Sequence, residues 1–385
     1  MKYFIGLALL MKFLSPLAQA YPQFIAHGYP SCTNCHFNPM GNGPLTDYGR
    51  SVGADGISSG AFYPKSWNEE KVASLSGFLF RTPVQDHVRA QLNYRGLQMV
   101  TALGTSAQKS TWINMQAGGQ LVLKFLQDDK LTVVGEFGYN PPSTQAKSAG
   151  QQNKSFRSRE HYVGYRISPE IGVYAGFMDK AYGIRVAEHI AFSRAMPEVT
   201  QNDQTHGVMV HGMKDGWEGA IHGFVGNLFQ EKDYRQKGGS LQVERQLFND
   251  HRLGGSLMYS KNDYVKIASY ALHSRLSFND GSALLLEYGQ TEKRSLGNKG
   301  DKVGRYGLLQ TFSRPIRGLY FIGNIEYQKT DLSASSSTVR WGPGIQYFPI
   351  QKLELRTDLY QTRVFNPNAS TIDSWMLLLQ THLWL

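Results

Sequence analysis

The sequence predicts an all-β protein: a transmembrane antiparallel β-barrel of about sixteen strands, behind a short and mostly irregular N-terminal segment. Three observations carry this. From about residue 86 the chain runs in short segments that alternate apolar and polar residues, and a period of two with one apolar face marks a half-buried strand. Tight turns and longer connections alternate along it, as in outer-membrane barrels. After residue 20 there is no apolar run of ~18 residues, so helical membrane spans are excluded.

Composition agrees. The 385 residues include 40 Gly and 12% aromatics, too ordered for a disordered chain, and the two Cys are too few for a disulfide scaffold. The first twenty residues read as an export signal: Lys2 supplies the charge, Tyr3 to Leu10 the apolar stretch, and Ala18-Gln19-Ala20 an A-x-A cleavage site. Lys12 and Pro16 break the run, which argues against a membrane anchor. Cleavage would remove Lys2 and Lys12, leaving 38 basic and 30 acidic residues, net +8. That charge suits anionic ligands or lipid head groups but identifies no partner, and no nucleic acid is expected.

Residues 21 to about 70 are rich in Gly, Pro, Ser and Asn. Both cysteines of the chain lie here, in Cys32-Thr33-Asn34-Cys35-His36. This is C-x-x-C-H, the attachment sequence for c-type haem. Two thiols at this spacing bond to the two vinyl groups of one porphyrin, and the adjacent imidazole becomes the proximal iron ligand. Three plainer readings compete. A thioredoxin-like redox pair lacks a surrounding βαβ pattern, and a zinc site lacks a second ligand pair. A plain structural disulfide is the third, which export would permit. The expected cofactor is one covalent haem c on Cys32, Cys35 and His36. The sixth iron ligand is open among His27, ranked first, Met40 and a residue of the later region. About fifty residues of this kind wrap a porphyrin poorly, so the haem is expected to borrow walls from the rest of the protein.

The strand segments are 88–104, 111–127, 131–140, 157–167, 170–179, 205–214, 217–229, 237–248, 251–261, 264–277, 282–293, 303–314, 319–330, 336–348, 352–364 and 372–384. Fourteen or eighteen strands are the alternatives, and a soluble sandwich or propeller the rival fold. The tight turns are Asp128-Asp129, Pro169-Glu170, Asp215-Gly216, Asn249-Asp250, Asn279-Asp280-Gly281, Pro315 to Gly318 and Pro349 to Gln351. Each joins an even-numbered segment to the next odd one, which would put both chain ends in the periplasm. The connection after the ninth segment is the exception. Tyr264, Tyr288, Tyr306, Tyr320, Tyr327, Trp341, Tyr347, Phe348, Tyr360 and Trp375, near segment ends, suggest interfacial girdles. The inward face is read as Arg89, Arg95, Lys124, Arg166, His273, Arg275, Arg356, Glu287, Glu326, Glu354 and Asp358, a mixed-charge lumen. Residues 180–204, with Arg185, Glu188, His189 and Arg194, are expected to be an ordinary outer loop; the alternatives are a constriction folded into the lumen or a source of a haem ligand.

A signal peptide at 1–20, a haem segment at 21–70 and a barrel at 71–385 together resemble the fused monohaem cytochrome–porins of the bacterial outer membrane. The Phe24-Ile-Ala-His27-Gly approach and the Asn38-Pro39, Gly41 and Gly43 stretch are similar to haem segments of such proteins. The resemblance covers the architecture of nearly the whole chain, but only the haem segment is motif-specific. It implies outer-membrane localisation in a Gram-negative bacterium, with the haem on the periplasmic side or in the lumen. It also implies electron transfer, rather than substrate turnover, between a periplasmic redox carrier and an extracellular donor or acceptor, iron being one candidate. The alternatives are a porin for small solutes, anionic ones among them, and an open-site haem with peroxidase-like or ligand-sensing chemistry.

Overall fold

The alternating segments close on themselves. The computed structural model describes residues 22–41, 43–82, 87–141, 155–188, 190–248, 250–278, 281–297, 300–367 and 370–385. Sixteen antiparallel strands form one closed sheet. They are β1 (Val88–Thr101), β2 (Lys109–Phe125), β3 (Leu131–Tyr139), β4 (Phe156–Arg157 and His161–Arg166), β5 (Ile171–Met178), β6 (Thr205–Lys214), β7 (Trp217–Gly226) and β8 (Lys237–Gln246). The circuit continues with β9 (Arg252–Lys261), β10 (Val265–Ser277), β11 (Ala283–Ser295), β12 (Lys302–Ile316), β13 (Leu319–Lys329), β14 (Ser337–Tyr347), β15 (Leu353–Phe365) and β16 (Ile372–Trp384). Strand β4 is interrupted, and both its pieces pair with β3. Closure comes from β16 pairing with β1, from Asn93 opposite Trp384 to Thr101 opposite Met376. A closed sheet leaves no unpaired edge, which a bilayer requires. Every expected segment coincides with a strand to within a few residues.

The connection asymmetry is also present. Even-to-odd connections are short, down to residues 215–216 and 317–318. Asp215 and Gly216 both take positive φ, 50° and 77°, as a two-residue hairpin turn requires. The expected turn residues Asn249, Asn279 and Asp280, like the export signal and His189, lie outside the described residues. The opposite connections are longer, except residues 262–264 after β9.

Alternation sorts the side chains. Leu92, Leu121, Ile221, Leu272 and Ile325 lie exposed on the outer surface, while Arg89, Lys124, His273, Glu287, Glu326 and Glu354 are buried inside. Two expectations are corrected. Tyr306, Tyr320, Tyr360 and Phe348 are buried inward, because strand parity decides the face and position along the strand does not. Arg166 is exposed at the short-turn end, where it donates to the Asp129 carbonyl.

The lumen is filled from both ends. Residues 22–82 enter from the short-turn end as a plug. Its apolar side, Phe24, Ile25, Tyr29, Leu45, Val52 and Ile57, packs on inward Leu285, Leu308, Phe312 and Tyr320 of the wall. Polar tethers ring it: Gln23 donates to Gln346 at 3.1 Å, Arg275 to the Pro30 carbonyl at 2.9 Å, and Arg50 to the Ala90 carbonyl at 2.9 Å. Arg89 pairs with Asp47 at 2.5 and 2.7 Å. Residues 179–204 fold into the lumen from the other end, so the expectation of an ordinary outer loop is corrected. Tyr182, Ile184, Val186 and Phe192 are buried there, and inward carboxylates accept the loop's N–H groups, Glu287 from Ile184 and Glu326 from Phe192.

Candidate functional site

The C-x-x-C-H stretch winds into one turn. Ser31 caps it, its Oγ accepting from Thr33 N at 3.3 Å, and the Cys32 carbonyl accepts from Cys35 N at 3.2 Å and His36 N at 3.0 Å. This places Cys32, Cys35 and His36 on successive corners of a single turn. A short helix, α1 (Asp47–Val52), locks it from behind. A Cβ at Gly49 would lie 2.4 Å from the Cys35 carbonyl oxygen, so only glycine allows the helix this close.

The chain after the motif doubles back. His36 bridges Leu45, and Nδ1 of its ring lies 3.3 Å from the Gly43 carbonyl oxygen. Gly43, at φ +70°, abuts Glu160 from the break in β4, and the same carboxylate accepts from Asn38 Nδ2 at 2.9 Å. The barrel wall thus holds the loop that orients His36.

Neither thiol is in a disulfide; Cys35 is fully buried and Cys32 partly so. Burial pushes the Cys32 thiol up to about 11 and the Cys35 thiol higher still. Redox-active pairs need the opposite, a depressed thiol. Among the described residues no group of three or more His, Cys, Asp or Glu could hold a metal ion, which removes support for the zinc reading.

Two neighbouring cavities flank the motif. The first, about 130 Å³, is lined by His36, Gly41, Gly43 and Leu45 of the plug, by Arg185, Val186 and Arg194 of the loop, and by Asn93, Arg95, Gln120, His382 and Trp384 of the wall. The second, about 60 Å³, is lined by Cys32 and Met40 with Arg185, His211, Gln242 and Arg275. Pro22, Gly41 and Arg185 border both. Arg185 Nη2, Gln120 Oε1, Gln201 Oε1 and Gln242 Oε1 are buried without hydrogen-bond partners. Buried polar groups are normally satisfied, so these walls are unsaturated toward something polar. The acids lining the second cavity are committed elsewhere: Glu218 to Arg252 at 2.6 Å, and Glu244 to Arg275. Arg185 likewise pairs with Asp179, but the first cavity is lined by Arg95, Arg185 and Arg194 and by no acid, which favours an anionic guest there. Cys32 and His36, which reach these cavities, and the arginines that line them are the residues that would hold a porphyrin with two carboxylate arms; Cys35 sits behind them, buried against Gly49.

His27 lines neither cavity. Its Nε2 lies 2.9 Å from Tyr320 Oη, and burial, helped by Arg314, lowers the imidazole to about 4. Met40 borders the second cavity beside Cys32. His382 did not stand out in the sequence. Its signal was parity, since it sits two residues before inward Trp384 and in register with inward Arg95 and Glu354.

No family model matches the sequence, and no curated protein does. Solved structures do match the fold. The outer-membrane protein OmpT of Vibrio cholerae aligns with a TM-score of 0.60 at 11% identity, over 79% of this chain and 99% of that one. The outer membrane channel DcaP of Acinetobacter baumannii aligns with a TM-score of 0.56 at 11% identity, over 77% and 97%. OmpF of Salmonella typhi gives 0.56 at 13%, over 77% and 97%. The fold is that of a porin-like outer-membrane β-barrel. This likeness concerns the barrel and lends no support to a fused cytochrome.

Proposed function

We propose that this protein is an outer-membrane electron conduit carrying one covalent haem c inside a plugged, porin-like barrel. The observation that supports it is the position of the C-x-x-C-H turn, inside the lumen and flanked by two cavities with spare cationic and amide groups. Cys32 and Cys35 would hold the porphyrin through thioether bonds, and His36 would be an axial ligand. Arg185, with Arg95 and Arg275 nearby, would face the carboxylate arms. A haem so held supplies one-electron transfer. The wall's role is to keep water and lipid from it and to set its exposure, which tunes its potential. Short turns face the periplasm in such barrels. The plug end would then meet a periplasmic redox carrier, and the loop end an extracellular donor or acceptor, iron being one candidate.

The fold likeness by itself supports a second reading more directly, a pore for small solutes, as the matched channel's name suggests. The lumen's contents favour the conduit: plug and loop together occupy the space an open pore needs. One comparison tests both. Purified outer membrane from cells with the parent and with Cys35→Ala is examined by absorbance, and the purified barrels by bilayer conductance. The conduit requires a covalent haem spectrum in the parent, lost in the variant, and low parent conductance. A parent without covalent haem but with stable open channels would establish the pore instead.

A further inference from the structure

The first cavity holds a second imidazole. His382 projects from β16 in register with Arg95 on one neighbouring strand and Glu354 on the other. Its Nδ1 lies 3.2 Å from Glu354 Oε2 and 3.3 Å from Arg95 Nη2. Glu354 is fully buried, and its other oxygen accepts from Gln346 Nε2 at 2.7 Å. A carboxylate oxygen accepts and a guanidinium donates, so Nδ1 can serve only one of these two neighbours; the Nδ1–H tautomer is the one that serves Glu354. That tautomer leaves the lone pair on Nε2, which makes no hydrogen bond. Metal-bound histidines are held this way, one nitrogen fixed by a carboxylate or a backbone carbonyl and the other presented to the metal. The Trp384 ring, 4.9 Å away centre to centre, packs beside the imidazole on the same cavity.

The competing ligands fare worse. His27 borders neither cavity. Met40 borders only the second cavity. Nε2 of His211 is already engaged, 3.0 Å from Glu218. His36 and His382 line the same cavity, each with Nδ1 near an oxygen acceptor: a backbone carbonyl for one, a carboxylate for the other.

We propose that Nε2 of His382 is the second axial iron ligand. The haem would then be bis-imidazole, with one ligand from the plug and one from the barrel wall. The inference rests on the haem reading above. It makes the cofactor a cross-link between the two parts, and it excludes the open coordination position that peroxidase-like or gas-sensing chemistry needs. Bis-imidazole ligation also implies a lower potential than a methionine ligand would give.

The test uses the full-length protein, matured with haem and purified in detergent. Covalent haem is assayed on denaturing gels, and barrel folding by heat-modifiable migration. The parent is expected to be low-spin in the ferric state by electron paramagnetic resonance and unreactive to carbon monoxide when reduced. His382→Ala should keep covalent haem while turning fully high-spin and binding carbon monoxide. His382→Met should restore a low-spin state at a higher potential. His27→Ala and Met40→Leu should match the parent. A low-spin, unreactive His382→Ala protein, or a parent that already binds carbon monoxide, overturns the assignment and leaves the haem reading standing. A folded parent without covalent haem overturns both. If His382→Ala fails to fold, the His382→Met spectrum decides: a spectrum and potential unchanged from the parent overturn the assignment.

Discussion

The wall receives its two inserts differently. The loop at 179–204 is pinned by buried charge on top of an apolar seat of its own, Tyr182, Phe192, Met196 and Val199 against Phe224, Met258 and Tyr306 of the wall. Glu188 pairs with Arg356, Arg340 donates to the Ile190 carbonyl at 2.7 Å, and Glu287 and Glu326 take its backbone N–H groups. The plug is seated by an apolar face, with polar tethers around its rim. Its free side, the turn with Cys32 and His36, is where packing stops and cavities begin. A mixed-charge lumen looks in sequence like the lining of a wet channel. Here much of that charge fixes a segment in place, and some of the unsatisfied groups, Arg185 Nη2, Gln120 Oε1, Gln201 Oε1 and Gln242 Oε1, border the cavities between the two inserts.

The sharpest way to separate the inserts is to release one. Arg356 is fully buried between Glu188 of the loop and Asp358 of its own strand. Arg356→Ala leaves two buried carboxylates without their cation, and breaking such a contact costs about 3–5 kcal/mol. The loop is expected to detach and single-channel conductance to rise, while the plug keeps its protection from protease. Loss of plug protection in the same variant would mean that the inserts are one cooperative unit.

Acid should act on the plug next. His27 is neutral at pH 7, its imidazole lowered from 6.5 to about 4 by burial against Tyr320 and by Arg314. Once undocked, it would take up a proton near 6.5. Between these values the undocked state binds more protons, so docking is fully stable above pH 6.5 and weakens as pH falls toward 4. At about 1.4 kcal/mol per unit the loss approaches ~3 kcal/mol. Proteolysis of residues 22–80 across pH 4 to 7 checks this, and His27→Phe should flatten the profile.

How much of this was legible beforehand follows from the range of each signal. The barrel was readable because period-two alternation and turn residues such as Asp215-Gly216 act over a few positions. The C-x-x-C-H turn was readable because it is contiguous. The girdle was overdrawn, because Tyr306, Tyr320 and Tyr360 near strand ends fall on inward parity. The rest of the site was hidden in register. Nothing local says that Glu160, in a strand break, meets Asn38 and Gly43. Nor does anything local say that His382 shares a cavity with His36, 346 positions away in the chain. Such meetings depend on how sixteen strands stagger and where the plug stops. The inward turn of residues 179–204 has the same origin, since Glu287 and Glu326, which capture it, lie far along the chain.

A finer probe of the same contrast is the contact between Asn38 and Glu160. Leaving a buried hydrogen-bonding group without its partner costs about 1–3 kcal/mol. In Asn38→Ala the carboxylate loses that donor, and the Met40 N–H, which Asn38 Oδ1 accepts at 2.9 Å, loses its acceptor. Barrel stability should hardly change, because the strand ladders are untouched. The loop carrying the Gly43 carbonyl should loosen, and with it the Nδ1 contact that orients His36. The expected result is a small shift in haem potential and a broader axial-ligand signal, with covalent haem content and heat-modifiable migration unchanged. If Asn38→Ala instead lowers barrel stability as much as Arg356→Ala does, the loop behind His36 is part of the wall's own scaffold, and the division between a charge-pinned loop and an apolar-seated plug would have to be redrawn.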